Sequence, residues 1–83
     1  MHERQRTLHR IIGSLFELET HEISDDLQIG DVPLWDSLGH AKLMLAVEDE
    51  FEISMSADDV ADVQSIAELV ALLNRKLGVN GNA

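Results

Sequence analysis

Residues 34–52 read LWDSLGHAKLMLAVEDEFE and carry the clearest periodic pattern of the chain. Leu43, Val47 and Phe51 stand four residues apart, which is the spacing of one helix face. Asp36 lies directly before the pattern, and aspartate is a favoured N-cap residue. The stretch therefore predicts an amphipathic α-helix over 37–51 that starts at a serine, Ser37.

A second apolar stripe, formed by Leu38, Ala41 and Leu45, runs beside the first. Together the two stripes are wider than one buried helix face requires. The helix is then central in a bundle, or one stripe faces a partner or ligand, or both. Gly39 in the first turn costs up to about 1 kcal/mol relative to alanine. Either there is no room for a side chain at that position, or the glycine has no packing role and its cost is tolerated.

Three further helices are predicted outside this stretch. Helix one runs over 3–18, and a short helix three runs over 57–62. Helix four follows the capping box from Ser65 to Glu68, with Gly78 as the C′ residue. The apolar stripe of helix one is Leu8, Ile11, Ile12, Leu15 and Phe16, and that of helix four is Ile66, Leu69, Val70, Leu72, Leu73 and Leu77.

Residues 19–36 break the helical pattern and contain Gly30 and Pro33, which favour turns. A connection of this length is often functional. Its apolar residues are predicted to hold it against the core: Ile23, Leu27, Ile29, Val32 and Leu34. The resulting fold class is all-α, a four-helix bundle with three longer helices, a short third helix and a long loop between helices one and two. Residues 1–83 are predicted to form a single domain, with 78–83 as a flexible tail.

Composition narrows the function classes. The 83 residues are 45% hydrophobic, which is enough for a small core and argues against disorder throughout. There are no cysteines, which excludes disulfides and thiolate chemistry. The longest apolar run, over 43–47, is too short for a bilayer span. The N-terminal residues, MHERQRTLHR, have no apolar signal core. These features predict a cytoplasmic protein.

The net charge is −10, and between residues 11 and 74 Lys42 is the one basic residue against fifteen acids. Such a surface repels nucleic-acid phosphates and anionic lipid, so neither partner is expected. It favours encounter with basic protein surfaces. The alternative is that the acidity serves only solubility.

An enzymatic or metal site has little support in the residues. Ser37, His40 and Asp36 are close in sequence, but no Gly-x-Ser-x-Gly elbow surrounds the serine. A capping or surface role explains His40 more simply. No paired metal-ligand spacing occurs among His2, His9, His21 and His40, and no Asp-x-Asp-x-Asp-Gly calcium loop is present. The prediction is no catalytic residue and no metal.

The tripeptide DSL at residues 36–38, followed by LMLAVEDEFEI at 43–53, resembles the acyl carrier protein and peptidyl carrier protein family. The resemblance covers essentially the whole chain. It implies that Ser37 carries a covalent 4′-phosphopantetheine arm, transferred from coenzyme A by a separate phosphopantetheinyl transferase. The arm's thiol would hold acyl or aminoacyl groups as thioesters. Asp36 would help the transferase bind its metal and the serine, or would only cap the helix.

The resemblance also implies a partner surface. Leu38, Ala41 and Leu45 would form its apolar centre, and Glu48 and Asp49, with neighbouring acids, its charged part. The partners would be the transferase, an acyl- or aminoacyl-loading ligase, and a downstream acyltransferase or synthase of fatty acid, polyketide or nonribosomal peptide biosynthesis. The carrier itself is expected to be a monomer that catalyses nothing.

The chain departs from the fatty-acid type of carrier at Trp35, Gly39, His40 and Lys42. WDSLGH is more similar to stand-alone carriers of secondary metabolism or specialised acyl transfer. Trp35 either packs as structure or lies beside the arm. Four apolar residues either form ordinary core or line a cavity for a carried chain: Met44, Met55, Val60 and Ile66. The alternative function is an unmodified helical interaction module with a carrier-like fold.

Overall fold

The computed structural model describes residues 2–78, which form four α-helices and one short 3₁₀ helix. The four are α1 (His2–Phe16), α2 (Ser37–Phe51), α3 (Ala57–Asp62) and α4 (Ile66–Leu77). The predicted all-α bundle, with a short third helix and a long first connection, is confirmed. The bounds of α2 and α3 agree with the sequence prediction. The tail beyond Gly78 lies outside the described residues.

The core is built by the predicted stripes of the three longer helices. Leu43 and Val47 of α2 are fully buried, and Phe51 packs half-buried against the same cluster. The long loop contributes Ile23 and Trp35, and Trp35 is among the largest fully buried side chains. The other buried apolar residues are Leu8, Ile11, Ile12, Phe16, Met44, Val63, Ile66, Leu69, Leu72 and Leu73.

Two helices end at residues that the sequence does not mark. α1 stops at Phe16, earlier than predicted, because Glu17 adopts a left-handed conformation with φ of 59°. The Leu18 N–H then donates to the Gly13 carbonyl at 3.0 Å. α2 ends in the same way at Glu52, whose φ is 55°. Glycine is the usual residue at such positions, and neither helix end has one.

The loop between α1 and α2 is attached to the start of α4. The Ile29 N–H donates to the Gln64 carbonyl at 2.9 Å, and the Ile66 N–H donates to the Leu27 carbonyl at 3.0 Å. Leu27, Ile29 and Val32 pack half-buried against the core, as predicted. The prediction is wrong for Leu34, which is 44% exposed. Its neighbour Trp35 takes the interior position instead.

An ion pair joins α3 to α4. The Lys76 ammonium lies 2.8 Å from Asp59 Oδ2. The same carboxylate oxygen accepts a hydrogen bond from the Ser56 N–H at 3.0 Å, which completes a capping box at the start of α3. The hydrogen bond from Lys76, and then the one from Ser56, lower the pKa of Asp59 below its ordinary value of 3.8.

This ion pair gives a testable acid dependence. Asp59→Asn is expected to lower the free energy of unfolding at neutral pH and to matter progressively less below pH 3.8. A carboxyl group whose pKa is lower in the folded chain than in the unfolded chain stabilises the fold at pH values where it is ionised. This contribution is lost as the pH falls through the folded-state pKa. Urea unfolding over a pH series measures it. Asp58→Asn, an exposed neighbour, is the control, and identical pH profiles for the two variants would contradict the expectation.

Candidate functional site

Ser37 is the first residue of α2, and its side chain is exposed. Asp36 caps the helix from an extended conformation, and its Oδ1 accepts from the Gly39 N–H at 2.8 Å. Because Asp36 provides the cap, the Ser37 hydroxyl is not needed for it. Within residues 2–78, the N–H groups of Ser37 and Leu38 have no hydrogen-bond partner in the chain, and neither has the Ser37 hydroxyl.

Gly39 allows the preceding loop to lie directly on α2. A Cβ at this position would overlap the Leu34 carbonyl oxygen and would lie 3.2 Å from Cε1 of Phe16. Of the two explanations for this glycine, the structure supports the first: there is no room for a larger side chain at this position. The close approach of the Leu34 backbone fixes the path of the chain just before the Asp36–Ser37 turn.

The two apolar stripes of α2 have different surroundings. The stripe of Leu43 and Val47 is buried, whereas Leu38 and Leu45 are 65% and 62% exposed. Ala41 lies between these two leucines on the helix face and is also exposed. The helix therefore packs against the core with one stripe and presents the other to solvent, next to Ser37.

The acidic end of α2 is partly engaged within the chain. Glu48 is half-buried, and its Oε2 accepts from the Met55 N–H at 2.7 Å, so it supports the turn into α3. Glu50 lies 3.4 Å from the Arg10 guanidinium. Asp49 is exposed, and the ion pairs found within residues 2–78 do not include it. Asp49 is thus the predicted partner residue whose charge is most available.

His40 is not the capping or surface residue that the sequence predicted, because it is only 7% exposed. Its Nδ1 accepts from Trp35 Nε1 at 3.1 Å, and its Nε2 lies 2.9 Å from the Val60 carbonyl oxygen. Trp35 is fully buried and stacks on Phe16, so the structural alternative for this tryptophan is the correct one. Both imidazole nitrogens are occupied, and neither is free to take a proton from Ser37.

A small cleft lies beside the serine, between the end of α1, the loop and the start of α2. Its volume is about 110 Å³. It is lined by Leu15, Phe16, Leu34, Asp36, Leu38, Gly39 and Lys42. On the other side of α2, Met44 and Ile66 are buried in the core, and Met55 and Val60 pack partly buried against it. These four residues therefore have the contacts of ordinary core.

The described part of the chain has neither a metal-binding cluster nor a membrane-spanning helix. Residues 2–78 contain no group of three or more histidine or acidic side chains arranged to hold a metal ion. No helix within the same residues combines the length and apolar character needed to cross a membrane.

Comparison with known proteins identifies the family. The sequence model of the protein family described as "Phosphopantetheine attachment site" matches residues 6–73. This chain belongs to the phosphopantetheine-binding carrier family. Its cofactor is therefore 4′-phosphopantetheine, and carriers of this family are not enzymes themselves. A similar protein is the acyl carrier protein of Buchnera aphidicola subsp. Schizaphis graminum (strain Sg), which is 24% identical over 76 residues. The alignment covers 92% of this carrier and 96% of that protein.

The start of α2 fits a phosphodiester-linked group. A helix N-terminus favours an anion, because its first N–H groups are unpaired and the helix dipole is positive there. In this carrier the N–H groups of Ser37 and Leu38 are free of partners within residues 2–78, next to an exposed hydroxyl. The Ser37 side chain is exposed, so the hydroxyl is accessible from solvent.

Proposed function

We propose that the Ser37 hydroxyl is the attachment point of 4′-phosphopantetheine and that the carrier presents acyl or aminoacyl thioesters to partner enzymes. When bound, the cofactor supplies a thiol that holds the cargo. The exposed, unbonded hydroxyl at the first residue of α2, within the segment matched by the family model, carries this proposal. In this role, residues 1–83 act as one monomeric carrier domain in the cytoplasm.

Asp36 has two roles in this proposal. Its Oδ1 caps α2 through the Gly39 N–H, which contributes about 1 kcal/mol to helix stability. Its other carboxylate oxygen has no hydrogen-bond partner within residues 2–78. That oxygen is suited to a metal ion held by the transferase, since carboxylate oxygens are preferred ligands of Mg²⁺.

The partner surface of the proposal combines Leu38, Ala41 and Leu45 with the carboxylates of Glu48 and Asp49. Exposed leucines beside the attachment serine provide apolar contact area. The acidic groups attract basic partner surfaces and accelerate encounter. The partners are the phosphopantetheinyl transferase, a loading ligase for acyl or aminoacyl groups, and a downstream acyltransferase or synthase.

The direct test is incubation with coenzyme A and a broad-specificity phosphopantetheinyl transferase, followed by intact-mass measurement and peptide fragmentation. The expected result is a mass gain of one phosphopantetheinyl group, located on Ser37. If several transferases give no gain with protein shown to be folded by circular dichroism, the unmodified interaction module is favoured instead. A gain located on another residue would overturn the site.

Charge reversal at Asp49 tests the acidic part of the partner surface. Asp49→Lys is expected to slow association with the transferase about threefold to tenfold at low salt, because a local attraction becomes a repulsion. Stability is expected to change little, since Asp49 is exposed and forms no ion pair within residues 2–78. Surface plasmon resonance at several salt concentrations measures the association rate.

The matched control is Asp26→Lys, which makes the same change in net charge at an exposed position of the long loop. Equal slowing by both variants would assign the effect to net charge and not to this surface. Glu48→Lys is a poorer probe, because Glu48 also accepts the Met55 N–H and its loss would disturb the turn into α3.

A further inference from the structure

We propose that Trp35 and His40 are positioning residues for the modification of Ser37. They form a buried hydrogen-bonded pair, the Trp35–His40 clamp, that holds the turn bearing the serine in place. The inference rests on the proposed function, since it presumes that Ser37 receives the arm. Neither residue is expected to touch the transferred group, because Trp35 is fully buried and His40 is 7% exposed.

The clamp fixes one tautomer of His40. The indole Nε1 of Trp35 can only donate, so His40 Nδ1, at 3.1 Å, must accept. The Val60 carbonyl oxygen can only accept, so His40 Nε2, at 2.9 Å, must donate. The imidazole is therefore neutral, with its hydrogen on Nε2. Both buried polar side chains are satisfied. Removal of His40 would leave the Trp35 indole N–H without a partner, and removal of Trp35 would leave His40 Nδ1 without one.

The clamp connects α1, the long loop, α2 and α3. The Trp35 ring stacks on Phe16 of α1 at a centroid distance of 5.4 Å. It meets the His40 ring of α2 edge to edge, with centroids 6.2 Å apart and an angle of 19° between the ring planes, as the hydrogen bond between them requires. Through Val60, His40 reaches α3. A continuous line of buried contacts thus runs from α1 through the loop and the first turn of α2 to α3.

Ser37 lies between the two members of the clamp in sequence, and the backbone is fixed on both sides of it. The Trp35 carbonyl accepts from the Gly30 N–H at 2.8 Å, and the His40 N–H donates to the Asp36 carbonyl at 2.8 Å. In the transfer from coenzyme A, the Ser37 oxygen loses its proton and bonds to the phosphorus atom that carries pantetheine, while the bond from that phosphorus to the nucleotide breaks and adenosine 3′,5′-bisphosphate leaves. The transferase must therefore bring the Ser37 oxygen to bonding distance of this phosphorus atom. A displacement of about 1 Å at a reacting group can cost about a hundredfold in rate. Loosening of the clamp should therefore slow modification while the helices remain folded.

A purely structural role for the pair makes a different prediction. In that case a clamp variant is modified more slowly only because a larger fraction of its molecules is unfolded. Any core substitution that lowers the free energy of unfolding by the same amount then slows modification equally. Leu72→Ala provides this comparison, because Leu72 is 2% exposed and lies on α4, which carries no member of the clamp. All kinetics are then measured at a temperature where each variant is folded by circular dichroism.

Two variants test the clamp. Trp35→Phe keeps an aromatic ring and removes the indole donor, and His40→Leu removes both imidazole hydrogen bonds. Each is expected to lower kcat/KM for phosphopantetheinyl transfer about tenfold or more, while Leu72→Ala stays within about twofold of the wild type. Wild-type rates in both clamp variants, or equal slowing by Leu72→Ala, would overturn the inference.

Nitrogen-15 NMR of the unmodified protein tests the geometry independently. The expected spectrum has His40 as the Nε2–H tautomer, with slow solvent exchange of that proton and of the Trp35 indole proton. The Nδ1–H tautomer would overturn the clamp. If wild-type protein gains no mass with coenzyme A, the proposed function fails and the inference with it. If the wild type is modified and the clamp variants are unaffected, the inference alone fails.

Discussion

Ser37→Ala is expected to abolish phosphopantetheinylation completely while it changes the free energy of unfolding by less than about 0.5 kcal/mol. The hydroxyl oxygen is the proposed attachment atom, and alanine has no group that can replace it. The same oxygen makes no hydrogen bond within residues 2–78, and Asp36 caps α2 without it. Intact mass after incubation with coenzyme A and transferase measures the first effect, and urea unfolding measures the second.

Ser14→Ala is the matched control, since Ser14 is an exposed helical serine on α1. It is expected to be modified at the wild-type rate. A mass gain in Ser37→Ala would move the attachment site to another residue. A large fall in the melting temperature of Ser37→Ala would instead mean that the serine supports the fold.

Much of the fold could be predicted because its signals are local. The periodic apolar residues of α2 and the capping serines Ser56 and Ser65 involve residues three or four positions apart. The structure forms the complete box at Ser56. At Ser65 it forms only half of the predicted box, because the Ser65 hydroxyl accepts from the Glu68 N–H whereas the Glu68 carboxylate accepts from the Gln64 N–H. Local signals of this kind do not depend on how the helices pack. For this reason the bounds of α2 and α3 agree with the prediction.

The misplaced features depend on contacts between distant segments. The sequence predicts a capping or surface role for His40, because no residue near it in the chain indicates a partner for its Nε2. That partner is the Val60 carbonyl oxygen, which lies twenty residues further along the chain. The sequence predicts Leu34 in the core because leucine is apolar. In the structure its neighbour Trp35 occupies the interior, and Leu34 is left exposed. The early end of α1 is, by contrast, a local feature that the sequence does not mark, because the left-handed residue Glu17 is not a glycine.

For the candidate site, the sequence names residues, and the structure shows which of them are exposed and which are already engaged. The resemblance indicated Ser37 as the modified residue, and the second stripe of α2 indicated an exposed apolar face, which Leu38 and Leu45 provide. The hydrogen bond that Glu48 accepts from the Met55 N–H is not visible in the sequence, because it forms only when the chain turns between α2 and α3. Sequence patterns describe which groups are present, whereas packing determines which of them are already occupied.

Gly39→Ala is expected to lower the free energy of unfolding by about 2 kcal/mol, which corresponds to a fall in melting temperature on the order of 10 °C for a domain of this size. In an ordinary helix this change stabilises by up to about 1 kcal/mol, so the sign is reversed here. The added methyl group would overlap the Leu34 carbonyl oxygen, and backbone atoms cannot yield as a flexible side chain can. Thermal unfolding followed by circular dichroism measures the effect.

Ala41→Gly is the matched control, since it makes the opposite substitution at an exposed position of the same helix. It is expected to lower stability by no more than about 1 kcal/mol, through helix propensity alone. Gly39→Ala should be the more damaging of the two, although propensity favours it. Because the Leu34 backbone leads directly into the Asp36–Ser37 turn, its displacement should also slow phosphopantetheinylation of the molecules that remain folded. Stabilisation by Gly39→Ala would mean that the loop does not rest on α2 at this point.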